Sequence, residues 1–200
     1  MKIINRELTH ADYADLKAAM MEAYEGIGGQ YWRKEKIDIL LKKFPEGQIC
    51  VEVDEKVVAV ALSIIINYDK FGDEHTYAEV TGEYTFKTHN AKGDVLYGIE
   101  VFVHPEYRNL RLGRRLYDAR KELCERLNLR SIVAGGRIPN YANYAEELTP
   151  KEYIHKVKSR ELYDSTLTFQ LANDFHVRKV LNNYLPGDTE SKDYATLLEW

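Results

Sequence analysis

The segment 95–116 constrains the fold of this chain more than any other. It begins with the run VLYGIEVFV, which indicates a buried strand, and then enters a turn that contains Pro105. The residues after the turn have the pattern of an amphipathic helix, in which apolar side chains recur in steps of three and four residues and charged ones lie between them. The apolar positions are Leu112, Leu116, Ala119, Leu123 and Leu127. The segment therefore predicts a strand, a tight connection and a long helix.

The first turn of this predicted helix is unusually positive. Arg111, Arg114 and Arg115 lie where the helix dipole already places about half a positive charge, at a cost of roughly 0.3 to 1 kcal/mol per exposed arginine. Free N–H groups at a helix start, together with the dipole, form a ready site for phosphate. The sequence contains neither G-x-x-x-x-G-K-[ST] nor, at this turn, G-x-G-x-x-G. The alternatives are a phosphate site of another kind or a surface turn that leads into a charged helix.

The composition favours one domain that spans residues 1–200. With 200 residues, 44% of them hydrophobic, the chain is long enough for one substantial core and too short for two comfortable ones. Its 28 basic and 32 acidic residues give a net charge of -4, which argues against nucleic-acid and anionic-membrane partners. The longest apolar run, 57–66, is too short to span a bilayer, and the N-terminus does not resemble a signal peptide. We therefore expect a cytoplasmic protein.

The spacing of cysteines and histidines does not indicate a metal site. Cys50 and Cys124 form no C-x-x-C pair, and the six histidines lack H-x-x-x-H spacing. We expect no metal and no disulfide.

Hydrophobic periodicity predicts the order strand, two helices, three strands, helix, strand, helix, two strands. A capping box at 9–12 opens the first helix, and Gly26, Gly28 and Gly29 end it. Gly135 and Gly136 are expected to let the chain leave the strand 130–134. The last helix is expected at 166–173. The remaining strands are expected at 2–8, 48–53, 57–67, 175–180 and 195–199.

Two segments are too long for ordinary connections and predict insertions. The first, 68–93, is interpreted as a flap or a short helix with a hairpin. The second, 137–164, is predicted to be helical because Thr149 begins a capping box with proline at the first helical position.

The connection after the strand has the spacing Arg108-x-x-Arg111-x-Gly113 and follows the pattern Val-x-Pro-x-Tyr. It resembles the acyl-CoA signature [RQ]-x-x-G-x-[GA] of the GNAT N-acetyltransferases, with Arg111 in place of the first glycine. The element order also matches the GNAT layout over nearly the whole chain. The resemblance implies an α/β (α+β) fold with a mixed, mostly antiparallel twisted sheet of about six to seven strands flanked by helices.

Several segments resemble, more closely, the acetyltransferase half of proteins in which a GNAT domain precedes a carbon-nitrogen hydrolase. These segments are 47–48, 96–100, 111–117, 133–139 and 195–200. The chain is interpreted either as a free-standing relative or as a domain of a longer protein, with a covalent or separate hydrolase partner. A free edge strand of the sheet would also permit a homodimer.

The resemblance implies direct transfer of acetyl from acetyl-CoA to a primary amine of a small molecule or peptide while both are bound. The strand before the signature would then meet the pantetheine and thioester through its backbone, at Val101, Phe102 and Val103. The signature itself would hold the pyrophosphate, with Arg108, Asn109, Leu110, Arg111, Leu112, Gly113 and Arg114.

Glu100 is the one ionisable carboxylate in a predicted strand whose other residues are typical of a buried core. Burial would raise its pKa toward the range of a general base, but a structural glutamate bound to a neighbouring strand is an equal alternative. Gly98 indicates a bulge or the close approach of a ligand, and a bulge leaves the direction of the Glu100 side chain undecided. Tyr97 is a candidate proton relay or acid, although packing is the commoner role of a strand tyrosine.

The last predicted helix resembles that of the family, but Gln170 and Asp174 stand where the family commonly has tyrosine and glycine. Since a glutamine cannot donate a proton as a phenol can, a non-catalytic acyl-CoA-binding or regulatory module is an alternative, and so is an interaction domain without CoA affinity. Candidate acceptor-pocket residues lie in the insertions and in the loop between the last strands. They are His75, Tyr77, Glu83, Tyr84, Tyr141, Tyr144 and Tyr184.

Overall fold

A central sheet of seven strands organises the chain in the computed structural model, which describes residues 1–25 and 31–200. The strands are β1 (Ile3–Glu7), β2 (Ile49–Val53), β3 (Lys56–Ile66), β4 (Val95–Val103), β5 (Ser131–Arg137), β6 (His176–Leu181) and β7 (Ala195–Glu199). They lie in the order β1-β2-β3-β4-β5-β7-β6, and every pair is antiparallel except β4 with β5. The mixed, mostly antiparallel sheet expected from the sequence is confirmed.

Helices cover both faces of this sheet. They are α1 (Tyr13–Ala23), α2 (Lys34–Lys43), α3 (Tyr77–Thr81), α4 (Leu112–Arg126), α5 (Pro150–Lys158) and α6 (Ser165–Leu171). Helices α1, α2 and α3 bury their apolar side chains against one face, and α4, α5 and α6 bury theirs against the other. Strand β3 is buried on both faces from Val57 to Ile66, as its uninterrupted apolar sequence requires.

The predicted order of helices and strands is present in the structure, and both predicted capping boxes are formed, with a third at Thr76 and Glu79 that opens α3. Thr9 and Asp12 form one at a short 3-10 turn that leads into α1, and Thr149 and Glu152 form another at α5. The predicted end of the first helix, at Gly26, Gly28 and Gly29, lies outside the described residues. The segment 137–164 contains α5, whereas 68–93 contains a 3-10 turn and α3 with tight turns instead of a hairpin.

The prediction for Gly135 and Gly136 is wrong. Strand β5 continues through both glycines to Arg137, and they pair with β7. A Cβ atom on Gly135 would lie 2.1 Å from Cζ of Tyr184, and one on Gly136 would lie 2.5 Å from Oε1 of Gln170. These glycines therefore permit the close approach of two side chains and do not form a turn.

A bulge in β4 decides which way its side chains point. Leu62 pairs with Glu100 and Ser63 with Gly98, so Ile99 is an extra residue between them. Side chains of a regular strand alternate between faces, but across the bulge Ile99 and Glu100 both lie on the face covered by α1 and α2. The extra residue thus turns Glu100 away from α4.

Arg120 of α4 lies against this bulge. It is 2% exposed, and its Nη2 donates hydrogen bonds of 2.9 Å to the carbonyl oxygens of both Leu62 and Glu100. A Cβ atom on Gly98 would lie 2.8 Å from Nη1 of Arg120, so the glycine makes room for the guanidinium. Burial lowers the pKa of Arg120 from its usual value.

We expect Arg120→Met to lower the free energy of unfolding by about 1–3 kcal/mol, because it leaves buried carbonyl oxygens of the bulge without a donor. Urea unfolding measures this change. Arg126→Met, at an exposed position of the same helix, is the control and should cost less than about 1 kcal/mol. Equal stability of the two variants would show that the bulge does not depend on the guanidinium.

Candidate active site

Strands β4 and β5 separate halfway along their length. Among the described residues they pair from Val95 to Gly98 on β4, and beyond that point β4 continues to pair with β3 and β5 with β7. A wedge-shaped gap therefore opens between residues 99–103 and residues 135–137.

Backbone donors line the β4 side of this gap. The N–H of His104 donates to the carbonyl of Val58 over 2.8 Å, which fixes the phase of the antiparallel ladder. Because alternate residues of such a strand point their N–H groups in opposite directions, those of Val101 and Val103 face the gap and that of Phe102 faces β3. Two of the three predicted backbone positions thus have an N–H in the gap.

The connection after β4 is tight and ends in an unusual backbone conformation. A 3-10 helix, Pro105–Leu110, leads to Arg111, whose φ of 56° and ψ of 29° lie in the left-handed region. This conformation costs a residue with a Cβ roughly 1–2 kcal/mol, which explains why a glycine suits the position in the signature that this turn resembles.

The start of α4 lies just beyond the end of β4 and presents N–H groups that no side chain caps among the described residues. Arg108, Asn109, Arg111 and Arg114 are exposed there, Leu110 and Gly113 are partly buried, and Leu112 is buried. A groove of about 450 Å³ runs beside the first turns of α4, but acidic Asp118 and Glu122 share its lining with three arginines. The groove is therefore less suited to a polyphosphate than the helix start itself.

Three donors hold the Glu100 carboxylate. The Tyr24 hydroxyl donates to Oε2 over 2.6 Å and the Trp32 Nε1–H over 3.2 Å, while the backbone N–H of Val101 donates to Oε1 over 3.0 Å. Burial raises the pKa of Glu100 above 4.5, and these hydrogen bonds together with the charge of Arg137 oppose the shift. Glu100, at the edge of the gap, thus has a raised pKa, and hydrogen bonds also hold its carboxylate in place.

Tyr24 and Trp32 are site residues that the sequence did not reveal. Periodicity placed them only on the apolar faces of the first two helices. Their one distinguishing signal is position, since an aromatic residue stands on each side of the glycine-rich segment 26–29.

Tyr97 is the centre of a buried hydrogen-bond chain. The Nδ1 atom of His75 lies 2.8 Å from the carbonyl oxygen of Gly72, which can only accept, so Nδ1 carries a proton. Burial lowers the pKa of His75, which favours the neutral ring, and its Nε2 then accepts from the Tyr97 hydroxyl over 2.7 Å. The Tyr184 hydroxyl completes the chain, 2.9 Å from that of Tyr97.

The first insertion lies at the site and the second does not. Tyr77 donates from its hydroxyl to the carbonyl of Ile99 over 2.9 Å, and its ring packs against Tyr84 and Tyr184. Glu83 is exposed beside Tyr84. Tyr141 and Tyr144 instead pack with Tyr153 of α5 on the other face of the sheet.

Gln170 lies at the β5 side of the gap. Its side chain is 7% exposed, and within the described ranges Oε1 has no hydrogen-bond partner, although it faces Gly136. Burial raises the pKa of Tyr117. Asp174, four residues later, has a φ of 66°, so the second position where the family commonly has glycine is also left-handed.

Two further properties of the described residues bear on chemistry. No group of three or more His, Cys, Asp or Glu side chains among them is arranged to hold a metal ion. No helix in the described part of the chain has the length and apolar character needed to cross a membrane.

Known proteins are similar to this chain in sequence. The model of the acetyltransferase (GNAT) family matches residues 13–145. An uncharacterized N-acetyltransferase of Bacillus subtilis, YkwB, is 31% identical over 169 residues, which are 84% of this chain and 74% of that protein. The probable hydrolase YhcX of the same species is 43% identical over 199 residues, but the chain spans only 38% of its length.

Solved structures agree on the fold. The loading GNATL domain of CurA from Lyngbya majuscula superposes with a TM-score of 0.84 at 25% identity, covering 100% of this chain and 98% of that one. The GNAT-like decarboxylase GphF, solved with isobutyryl-CoA, gives a TM-score of 0.76 at 18% identity, with 98% and 97% coverage. The parting of β4 and β5, the uncapped start of α4 and these likenesses lead to one conclusion: the chain belongs to the GNAT acetyltransferase family.

Proposed function

We propose that this chain binds acetyl-CoA along the gap between β4 and β5 and transfers the acetyl group to a primary amine of a small molecule or peptide, with both substrates bound together. One observation carries the proposal. The Val101 N–H at the edge of the gap donates to the Glu100 carboxylate, so a group able to accept a proton lies directly beside the place for a thioester.

The residues at the start of α4 fit a pyrophosphate. N–H groups of Leu112, Gly113 and Arg114 combine with the helix dipole, and Arg108 and Arg114 add charge from exposed positions. Asn109, Leu110 and Arg111 shape the turn that brings these groups to the end of the gap. The N–H of Val103 is placed to bind the pantetheine or the thioester oxygen.

Glu100 acts as the general base in this proposal. An amine that is protonated at neutral pH gives one proton to the carboxylate, and its nitrogen then forms a bond to the thioester carbon while the carbon–sulfur bond breaks. The nitrogen loses its second proton to water as the amide forms. The sulfur leaves as thiolate, which is tolerable because a thiol pKa near ~8.5 makes it a good leaving group. Gln170 has no proton to supply to it, so the thiolate takes its proton from water.

Tyr97 has a supporting role in this scheme. Burial and the neighbouring Tyr184 raise its pKa well above 10, so its hydroxyl stays protonated and cannot serve as a base. It can pass a proton along the chain between Tyr184 and His75.

The similarity to a much longer hydrolase suggests a partner for this domain. We infer that residues 1–200 fold as one domain and work in the cytoplasm with a carbon-nitrogen hydrolase, covalently joined or separate. Strands β1 and β6 are the edges of the sheet and offer a surface for a homodimer.

Gln170 favours a second candidate, a non-catalytic acyl-CoA-binding or regulatory module. Its carboxamide occupies the position of the family's usual proton donor and lies buried against Gly136. Such a module would bind acetyl-CoA and release no thiol.

Titration with acetyl-CoA should give saturable heat in a calorimeter, with a dissociation constant below 1 mM as a rough bound. Arg114→Ala should weaken binding, and the difference from the unchanged chain should shrink as salt rises, because the arginine acts through charge. Arg126→Ala, at the other end of α4, is the control. Absence of binding in the unchanged chain would contradict both candidate functions.

Arg111→Gly should stabilise the chain relative to Arg111→Ala by about 1 kcal/mol, since both variants lose the charge and only glycine relieves the left-handed backbone. Thermal unfolding of the two variants measures the difference. Acetyl-CoA should bind Arg111→Gly at least as tightly as Arg111→Ala. A more stable alanine variant would show that the turn adopts another conformation in solution.

Glu100→Gln should lower the rate of thiol release about 100-fold or more without changing the affinity for acetyl-CoA. In the unchanged chain, activity should fall as pH drops through the pKa of Glu100, which lies above 4.5, because protonation removes the base. Stability should not fall in the variant, since a raised carboxyl pKa means that the ionised form costs stability at neutral pH.

Glu125→Gln, at an exposed position of α4, serves as the matched control and should keep both the rate and its pH profile. An unchanged rate in Glu100→Gln would remove Glu100 from the mechanism.

A further inference from the structure

Aromatic side chains surround the Glu100 carboxylate on the face of the sheet covered by α1 and α2. Tyr24 and Trp32 donate to it directly. Phe102 lies against Tyr24 with ring centroids 5.9 Å apart, and Phe86 stacks on Trp32 at 5.7 Å. With Tyr77, these residues form what we call the aromatic cage: Tyr24, Trp32, Tyr77, Phe86 and Phe102.

Tyr77 closes the cage on the side of α3. Its hydroxyl donates to the Ile99 carbonyl, one residue before Glu100. Burial and then the charge of Glu100 raise its pKa well above 10, so the phenol stays neutral. Tyr24, Trp32, Tyr77 and Glu100 are each partly exposed, whereas Phe86 and Phe102 are buried.

The charges around Glu100 are predominantly negative. Arg137, at the end of β5, and Arg120 of α4 are cations whose charges act on Glu100. Arg120 is buried and donates to backbone carbonyls, so the more exposed of the two is Arg137. It is already engaged, because its guanidinium donates to both carboxylate oxygens of Asp188, over 2.6 and 2.5 Å, and to Glu190 over 2.8 Å. Two carboxylates on one guanidinium leave a surplus negative charge beside Glu100.

We propose that the aromatic cage and Glu100 select an aliphatic ammonium that carries no carboxylate next to its nitrogen. A cation is attracted to the faces of aromatic rings, and more strongly where water is partly excluded. Glu100 supplies the opposite charge, held by three donors so that it cannot turn away. A carboxylate on the acceptor would meet the charges of Glu100, Asp188 and Glu190. Both nearby guanidinium groups among the described residues are engaged, Arg137 with carboxylates and the buried Arg120 with backbone carbonyls.

This inference rests on the proposed function, because it takes the Glu100 side of the gap as the acceptor site. It also names the acceptor class. Simple alkylamines and diamines fit the cage, and free α-amino acids do not. The partly exposed Glu190 favours a second ammonium on the acceptor over a second anion.

Trp32 provides a direct reporter. The chain has two tryptophans, and Trp200→Phe leaves Trp32 as the only tryptophan without touching the cage. Excitation on the long-wavelength side of tyrosine absorption then reports on Trp32 alone. The full chain with this substitution is saturated with CoA, which has no acetyl group to transfer, and titrated at pH 7 with four matched probes. These are n-butylamine, 1,4-diaminobutane, norvaline, which is butylamine with a carboxylate beside the nitrogen, and 1-butanol.

We expect butylamine and diaminobutane to change Trp32 emission saturably and to bind at least about tenfold more tightly than norvaline, with no response to butanol. Equal affinities across the series, or tighter binding of norvaline than of butylamine, would overturn the proposal.

Substitution of the cage tests the same point by calorimetry. Trp32→Leu should weaken butylamine binding about 2- to 30-fold while leaving CoA binding unchanged. Tyr163→Leu, which removes an aromatic ring that is 66% exposed and lies outside the cage, is the matched control and should change neither. If Trp32→Leu does not fold, Tyr24→Phe keeps the ring and removes only its hydroxyl, and it should retain butylamine binding within about threefold.

The two proposals fail separately. If acetyl-CoA releases thiol with some amine but alkylammonium probes neither perturb Trp32 nor bind, the cage proposal is wrong and the transferase proposal stands. If the ammonium probes bind in the predicted order but no thiol is released from acetyl-CoA, the transferase proposal is wrong and cation recognition by the cage stands.

Discussion

Two neighbouring parallel strands can separate to admit a ligand only if each keeps its hydrogen bonds to a partner on its other side. In this chain β3 supports β4 and β7 supports β5, so both strands stay paired beyond the point where they part. The bulge at Ile99 lies just past that point. Arg120 reaches across from α4 to bind carbonyl oxygens of both β3 and β4 there. The gap, the direction of Glu100 and the cage around it all depend on this tied bulge.

Burial and hydrogen bonding pull the chemistry of the site in opposite directions. Removal from water favours the protonated carboxyl group of Glu100, whereas Tyr24, Trp32 and the Val101 N–H favour the ionised form. Burial has the larger effect, so the pKa is raised, and the three donors reduce the size of the increase. The raised pKa makes the carboxylate a better proton acceptor than an ordinary glutamate. The same donors fix its orientation, which is why its structural and catalytic interpretations are compatible.

The sequence alone predicted the element order, the sheet type and the presence of a bulge near Gly98, because these follow from local periodicity and turn chemistry. It could not predict the direction of Glu100, since one extra residue reverses the alternation. Arg120 looked like one more charge on an amphipathic helix, and Tyr24 and Trp32 looked like core. Their contacts with Glu100 join residues 76 and 68 positions apart, which no local pattern reveals. Arg111 was recognised as a departure from the signature, but its left-handed backbone, shared with Asp174, became clear only from the dihedral angles.

The glycines of β5 link parts of the chain that are distant in sequence. The ring of Tyr184 lies directly on Gly135, where any side chain would collide with it, and its hydroxyl ends the buried chain through Tyr97 to His75. The residues at positions 135 and 184 therefore have to change together. A lineage that acquires a side chain at 135 must also move or replace the tyrosine, and this changes the buried hydrogen-bond chain while the turn between β4 and α4 stays the same.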